Sequence, residues 1–176
     1  MRVREMTEDD IDAVSEVRVR GWQYAGLVPQ HHLDAMTPEK DAAERRGFFS
    51  TSRAFLDNLV AEEEDGSITG WAAVGPQREE EGPPKGPGLP GEDGELYALY
   101  VRPDRIGTGT GRALMEAALV VAERRGHPRL TLWVLGDNHR ARRFYEKAGF
   151  APDGVTHTFV IAGASLPDVR YARALG

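Results

Sequence analysis

The chain of 176 residues contains no cysteine. This absence excludes disulfide bonds, metal sites with thiolate ligands and a cysteine nucleophile. The chain also lacks any apolar run of about 18 residues, so no membrane-spanning helix is expected. Its first residues, MRVREMTEDD, lack the apolar core of a signal peptide, and we therefore expect a cytoplasmic protein.

Basic residues are outnumbered, with 22 Lys and Arg against 28 Asp and Glu and a formal net charge of −6. This balance argues against a nucleic-acid partner and favours cationic small molecules or basic peptides. The histidines, at 31, 32, 127, 139 and 157, show no spacing typical of metal ligands, so no metal is predicted. The length and the hydrophobic content of 40% indicate one globular domain over 1–176.

The first part of the chain predicts two helices and a β-hairpin. Apolar residues at helical spacing follow Thr7, and the segment GWQYAGLVP, 21–29, is expected to end that helix. A second helix is predicted over about 38–48, where a Thr-Pro pair supplies the cap and first residue. Two apolar runs, 59–62 and 68–74, flank an Asp-Gly turn as hairpin strands do.

The rest of the chain alternates strands and helices after a Pro- and Gly-rich segment, 76–93, that is typical of a surface loop. The predicted elements are a strand over 96–101, a helix over about 109–125, a strand over 129–135, a helix over about 138–148 and weaker strands over 155–161 and 169–174. A strand–helix–strand order implies a parallel pair, whereas the hairpin implies antiparallel strands. We therefore expect an α+β fold, with a mixed, mostly antiparallel sheet of about six to seven strands and helices on both faces.

Three glycines at alternate positions, Gly107, Gly109 and Gly111, separate the strand over 96–101 from the following helix. Amides at a helix start are unpaired and favour anions, and glycines let a pyrophosphate approach the backbone. A P-loop needs Lys followed by Ser or Thr where this chain has Arg112-Ala113, and the dinucleotide fingerprint needs G-x-G-x-x-G. Two interpretations remain open, the pyrophosphate arm of a coenzyme A site and a purely structural tight turn.

Two segments within Glu95–Gly154 favour the first interpretation. LYALYVRPDRIGTGTGRALM and LTLWVLGDNHRARRFYEKAGFAPDG resemble the two central motifs of the GNAT superfamily, the acetyl-CoA-dependent N-acyltransferases. This resemblance implies a GNAT-like fold, an enzyme with acetyl-CoA as co-substrate, and direct attack by a small-molecule or peptide amine without a covalent enzyme intermediate. A homodimer is a further expectation, because similar proteins commonly dimerise. The alternative is a non-catalytic acyl-CoA-binding sensor or interaction module.

The resemblance also implies catalytic and acceptor-binding residues. Glu95 corresponds to the general base, with Asp93 and Glu92 as rivals, or it is an ordinary charged residue beside a loop. Tyr145 corresponds to the acid that protonates the departing thiolate, or it is a core aromatic. Trp22 and Tyr24 correspond to one wall of the acceptor pocket, although Trp22 could equally cover the core.

The residues that the resemblance assigns to coenzyme A include a main-chain oxyanion donor near Leu99–Tyr100. The full set is Leu99, Tyr100, Val101, Ile106, Gly107, Thr108, Gly109, Thr110, Gly111, Arg112 and Asn138. Ile106 departs from the family, which usually has Gln or Arg there, and Arg105 or Arg112 could supply the missing cation. Asn138 is expected to contact the pantetheine or phosphate region, to cap a helix, or both.

Overall fold

The computed structural model describes residues 1–79 and 86–176. The helices are α1 (Ile11–Ala25), α2 (Gln30–Ala35), α3 (Pro38–Ser52), α4 (Thr110–Arg124) and α5 (His139–Lys147). The strands are β1 (Arg2–Glu5), β2 (Asp57–Glu62), β3 (Ile68–Pro76), β4 (Gly94–Val101), β5 (Arg129–Leu135), β6 (Ala151–Ile161) and β7 (Ala164–Ala174). The predicted 76–93 loop begins one residue too early, because Pro76 is the last residue of β3. Residues 77–79 and 86–93 contain no helix or strand, and 80–85 lie outside the described residues.

The strands form one seven-stranded sheet in the order β1-β2-β3-β4-β5-β7-β6. Strands β4 and β5 are parallel, and the other neighbouring pairs are antiparallel. Helices α1 and α3 cover one face, and α4 and α5 pack on the other. The predicted α+β fold, with its mixed, mostly antiparallel sheet and helices on both faces, is confirmed.

Each face of the sheet buries an apolar layer. On the face that α4 covers, Leu114 and Ala118 pack against Leu130 and Leu132 of β5. Residues four apart on a helix, or two apart on a strand, lie on one face, so both pairs point into this layer. Helix α4 approaches the sheet closely at Gly70, where an added Cβ would lie 2.6 Å from Leu114 Cδ1. The opposite layer joins α1 and α3 to β2 and β3.

The sequence prediction ends the first helix too early, because it places the break at 21–29. Helix α1 continues through Gly21 to Ala25 and ends at Gly26, whose φ of 62° is left-handed. Gly21 serves packing instead, because an added Cβ there would lie 2.9 Å from Tyr100 Cδ1. Trp22 and Tyr24 therefore lie on the last turn of a helix and not in a loop.

Two elements, β1 and α2, have no counterpart in the sequence prediction. Strand β1 pairs with β2 at the sheet edge and alternates charged residues with one valine, so its apolar signal is weak. Helix α2 has six residues, fewer than two turns, and periodicity needs a longer window.

Strands β4 and β5 diverge soon after they begin. Gly94 pairs with Leu130 and Glu95 pairs with Thr131, and no later residue of β4 pairs with β5 within the described chain. Strand β4 also contains a bulge, because Ala73 pairs with Ala98 and the next residue of β3 pairs with Leu96. Tyr97 is therefore the extra residue, and the edge of β4 beyond it faces a gap in the sheet.

No helix within the described ranges has both the length and the apolar character needed to cross a bilayer. Among the same residues, no group of histidines and carboxylates is arranged to hold a metal ion.

Candidate functional site

The gap between β4 and β5 opens into a cleft of about 1370 Å³. Its walls come from both strands, the glycine loop, the start of α5, the end of α1 and the β6–β7 hairpin. The lining includes these predicted site residues: Trp22, Glu95, Leu99, Tyr100, Val101, Ile106, Gly107, Gly109, Gly111, Arg112, Asn138 and Tyr145. Tyr24, Thr108 and Thr110, which were also predicted, are not among the lining residues.

Two of the three glycines are required by the backbone of the loop. Gly107 has a φ of 81° and Gly109 a φ of 95°, values that side chains disfavour. No atom of the described residues lies within 4 Å of a Cβ built on either glycine, so the space above them is open. Gly111 is not required in this way, since its φ is not left-handed and a Cβ built on it would make an ordinary contact with Phe144 Cε2 at 3.4 Å.

The amides of this loop point to an anion site. Gly109 precedes α4 and supplies no side-chain cap. Within the described chain, no acceptor bonds to the amides of Gly107, Gly109, Thr110, Gly111 or Arg112. Open space over glycines and unpaired amides at a helix start is the arrangement that a pyrophosphate requires.

The two threonines of the loop stabilise its shape. Thr108 Oγ1 donates to the Arg105 carbonyl oxygen at 2.6 Å and lies 3.2 Å from Thr110 Oγ1. Thr110 is buried. The Thr108 amide also donates to the Arg105 carbonyl oxygen, at 3.3 Å. These contacts hold the turn in place, and the other amides of 107–112 have no acceptor within the described chain.

Cations lie near the loop even though Ile106 is apolar and partly exposed. Arg105 and Arg112 both line the cleft. Arg112 Nε donates to Glu116 one turn along α4 at 2.8 Å, and its side chain is 82% exposed. Arg105 Nε lies 3.8 Å from Glu63 Oε1. Both arginines thus adjoin the glycine loop and contribute to the cleft lining.

Asn138 caps α5, because its side-chain oxygen accepts from the Ala141 amide at 3.2 Å. It also lines the cleft, so the two predicted roles are compatible.

Glu95 is a buried carboxylate, 2% exposed, at the last paired position before the strands diverge. Its Oε2 accepts from the Arg78 amide at 2.9 Å and from Arg78 Nε at 3.1 Å, and its Oε1 accepts from Arg78 Nη2 at 2.9 Å. The Arg78 guanidinium stacks 3.9 Å from the Tyr97 ring centre. The Tyr97 hydroxyl donates to the Pro76 carbonyl oxygen, which fixes the side chain of the bulge residue. Because Arg78 stacks on this side chain and binds Glu95, the bulge helps to position the ion pair.

The rival carboxylates are held by other groups. Asp93 forms an ion pair with Arg129 at 2.8 Å, and the Glu92 carboxylate accepts from the Leu89 amide at 2.9 Å. Both still line the cleft.

Tyr145 lies on α5 between Phe144 and Phe150, whose rings meet its own edge-on at 5.4 and 6.2 Å between centroids. Burial raises the pKa of its hydroxyl above the ordinary tyrosine value. Within the described residues no acceptor bonds to this hydroxyl, and the residue lines the cleft. A protonated, unengaged hydroxyl is suited to donating a hydrogen bond or a proton.

The two predicted acceptor-wall aromatics have different environments. Trp22 Nε1 donates to the Tyr100 hydroxyl at 2.8 Å, which ties the end of α1 to β4. Tyr24 is 57% exposed and stacks on the Arg140 guanidinium, 4.9 Å from its ring centre. Trp22 therefore belongs to the cleft wall, whereas Tyr24 contacts it through Arg140.

Several lining residues were missed by sequence reasoning, among them Arg78, Trp133, His157 and Asp168. Arg78 is 17 residues from Glu95 and reaches it only because β3 and β4 pair. His157 and Asp168 are opposite one another in the β6–β7 register, which no sequence motif reveals. Strand alternation in RLTLWVL could have placed Trp133 opposite the buried leucines.

Sequence comparison gives a family. The acetyltransferase (GNAT) family matches residues 22–150. The N-acetyltransferase YuaI of Bacillus subtilis is 31% identical over 170 residues, which cover 95% of this chain and 89% of that protein. A mycothiol acetyltransferase of Propionibacterium freudenreichii is 34% identical over 86% of this chain, and the match spans only 43% of that longer protein.

Solved structures share the fold. A ribosomal-protein-alanine N-acetyltransferase of Brucella melitensis has a TM-score of 0.76 at 22% identity, with 99% of this chain and 100% of that chain covered. The PaiA N-acetyltransferase of Thermoplasma acidophilum, in complex with coenzyme A, has a TM-score of 0.73 at 19% identity, with 98% of each chain covered. The fold, the cleft and the family match agree with the predicted resemblance, and this chain belongs to the acetyltransferase (GNAT) family.

Proposed function

We propose that residues 1–176 form one domain that transfers the acetyl group of acetyl-CoA to a primary amine by direct attack. The observation that carries this proposal is the glycine loop, whose unpaired amides open into the same cleft as the buried Glu95 carboxylate. Acetyl-CoA would supply the activated thioester, and the chain's own residues would hold it, receive a proton and return one.

The loop and the free strand edge would hold the cofactor. Amides of Gly107 and of Gly109 to Arg112 would bond the pyrophosphate oxygens, with Arg105 and Arg112 as nearby cations. The edge of β4 at Leu99–Val101, for which the described residues supply no strand partner on the β5 side, would pair with the amide groups of the pantetheine arm. Asn138 would contact the same arm.

Glu95 would act as the general base through a water molecule. A primary alkyl amine with a pKa of about 10.4 is mostly protonated at neutral pH and must lose a proton before it attacks. Arg78 donates to both carboxylate oxygens, and among the described residues Oε1 accepts a single bond, from Arg78 Nη2. A carboxylate oxygen has two lone pairs, so Oε1 retains one for a water.

Two further groups would complete the reaction. A main-chain donor of β4 near Leu99–Tyr100, next to the bulge, would stabilise the negative charge that develops on the carbonyl oxygen. Tyr145 would protonate the departing thiolate, since burial raises the pKa of its hydroxyl and keeps the proton there at neutral pH.

The acceptor would be a small-molecule or peptide amine. The relatives' names support both kinds, because one names mycothiol and one structural neighbour names the alanine of a ribosomal protein. The formal charge of −6 favours a cationic acceptor.

The proposal is tested by incubating the protein with acetyl-CoA and a broad panel of amines while free thiol is measured. We expect thiol release with at least one amine. Glu95→Gln should lower that rate by about 100-fold, the low end of acid–base catalysis, and should leave coenzyme A affinity within about twofold. Glu123→Gln, which removes an exposed carboxylate of α4 outside the cleft lining, is the matched control. Tight coenzyme A binding without thiol release for any amine would instead favour the sensor.

A further inference from the structure

One face of the splayed sheet carries a row of side chains that the proposed chemistry does not use. On β5, Leu130, Leu132 and Val134 point into the core, so Thr131, Trp133 and Leu135 point to the other face. Glu95 shares this face because it pairs with Thr131.

Asp168 belongs to the same face. It lies opposite Leu135 on β5 and opposite His157 on β6, and cross-strand partners point the same way. Along β5, Asp168 lies at the level of Leu135 and Glu95 lies at the level of Thr131. These two levels are four residues apart, about 13 Å along the strand. Trp133 lies halfway between those two levels.

This wall combines a carboxylate with flat aromatic surfaces. The rings of Trp133 and His157 stack with centroids 4.1 Å apart, and His157 Nε2 lies 3.6 Å from Asp168 Oδ2. Asp168 is 4% exposed, yet it and both rings line the cleft. A carboxylate removed from water interacts strongly with any cation brought beside it, and indole faces bind cations and alkyl chains.

Two arginines beside this wall form ion pairs with carboxylates of the protein. Arg170 Nε donates to Asp153 Oδ2 at 2.6 Å, and Arg78 holds Glu95. Their charges are compensated within the protein, so the wall offers little attraction for an anionic acceptor.

We propose that Trp133 and Asp168 form a subsite for a second cationic group of the acceptor, so that the substrate is a diamine or a similar dication. The proposal rests on the proposed amine acetylation. The reactive amine lies near Glu95, the apolar spacer lies against Trp133, and the distal cation pairs with Asp168. A spacer on the order of 10 Å fits the separation of the two levels.

The test compares kcat/KM for 1,8-diaminooctane and octylamine, which match in spacer length and differ in the distal charge. Wild-type protein should prefer the diamine by about tenfold, the effect of a modest charge pair. Asp168→Asn should remove most of this preference and leave kcat/KM for octylamine within about twofold. Asp9→Asn, which removes an exposed carboxylate outside the cleft lining, should preserve the preference.

Because Asp168 is buried, a wild-type measurement complements the variant. The KM for the diamine should rise more steeply with ionic strength than the KM for octylamine. Equal salt dependence, no wild-type preference, or an equal loss for both amines in Asp168→Asn would each overturn the subsite. Acetylation of other amines but of neither of these two would overturn the subsite and leave the proposed function standing. If no amine in the panel releases thiol, the proposed function itself fails.

Discussion

Glu95 and Tyr145 line one cleft but are held in opposite ways. Glu95 accepts three bonds from Arg78, whereas the Tyr145 hydroxyl lies among aromatic rings, with no acceptor for it within the described residues. Glu95 forms an ion pair, whereas burial raises the pKa of the Tyr145 hydroxyl. Groups whose environments differ in this way are suited to opposite proton-transfer roles.

Tyr145→Phe should lower kcat by roughly tenfold and leave coenzyme A affinity unchanged. The loss is smaller than general acid catalysis usually gives, because a thiol with a pKa of about 8.5 departs readily without help. Since burial raises the pKa of Tyr145, its hydroxyl keeps the proton, and the ratio of wild-type to variant rates should stay constant from about pH 6 to about pH 9.

Tyr171→Phe is the control for this prediction. Its hydroxyl, outside the cleft lining, accepts from Arg142 and donates to Glu146, so the variant should lose stability and keep its rate. A Tyr145→Phe rate equal to that of wild type would remove Tyr145 from the mechanism.

At the scale of elements, the turn from β4 into α4 requires two of its three glycines. Gly107 and Gly109 supply left-handed backbone and open space, whereas a Cβ on Gly111 would make an ordinary contact with Phe144 of α5. The amides of Thr110, Gly111 and Arg112 lack acceptors in the described chain, as amides at a helix start do. The feature that favours a ligand over a purely structural turn is the open space above Gly107 and Gly109.

Gly109→Asp should weaken coenzyme A binding by about 100-fold, measured by calorimetry, because a carboxylate would occupy the space proposed for the pyrophosphate. Gly126→Asp is the matched control at the other end of α4. It adds the same charge at a φ of 81°, also with nothing within 4 Å of the new Cβ. Both variants bear similar backbone strain, on the order of 1–2 kcal/mol. Equal affinity for the two variants would count against the loop as the phosphate site.

The β6–β7 hairpin supplies a stability prediction. Ala162 and Gly163 form its two-residue turn with φ values of 49° and 81°, and alanine is disfavoured at the first of these. Ala162→Asn should raise the free energy of unfolding by about 0.5–1 kcal/mol, because Asn-Gly suits a turn with two left-handed residues. Thermal denaturation should show a rise of a few degrees, and Ser165→Asn, at an exposed strand position of β7, should not. A lower midpoint for Ala162→Asn would contradict the turn assignment.

For the whole molecule, the elements with strong periodicity and clear end signals were predictable. Strand β5 has the predicted bounds, and α4 and α5 begin and end within one residue of theirs. Gly21 misled the prediction because its purpose is tertiary packing against Tyr100, which local sequence does not encode. Strand β1 was missed because its stability comes from pairing with β2 and not from its own composition.

The candidate site, like the fold, was predictable from the sequence only in part. The glycine loop and most of the predicted site residues line the cleft, and their roles stay predictions. Contacts set by strand register could not be read from the sequence. The Arg78–Glu95 pair joins residues on two strands, the bulge at Tyr97 shifts β4 by one residue, and His157 meets Asp168 across a hairpin. These depend on the pairing of whole strands, which a local pattern constrains only weakly.

The central claim is that backbone amides at the start of α4 bind the cofactor's pyrophosphate. An amide-resolved NMR titration of the ¹⁵N-labelled protein with coenzyme A tests it most directly. We expect the largest shifts at the amides of Gly107, Gly109, Thr110, Gly111 and Arg112, with the Gly126 amide unchanged at the other end of the helix. Saturable binding that leaves the 107–112 amides unshifted would contradict the claim.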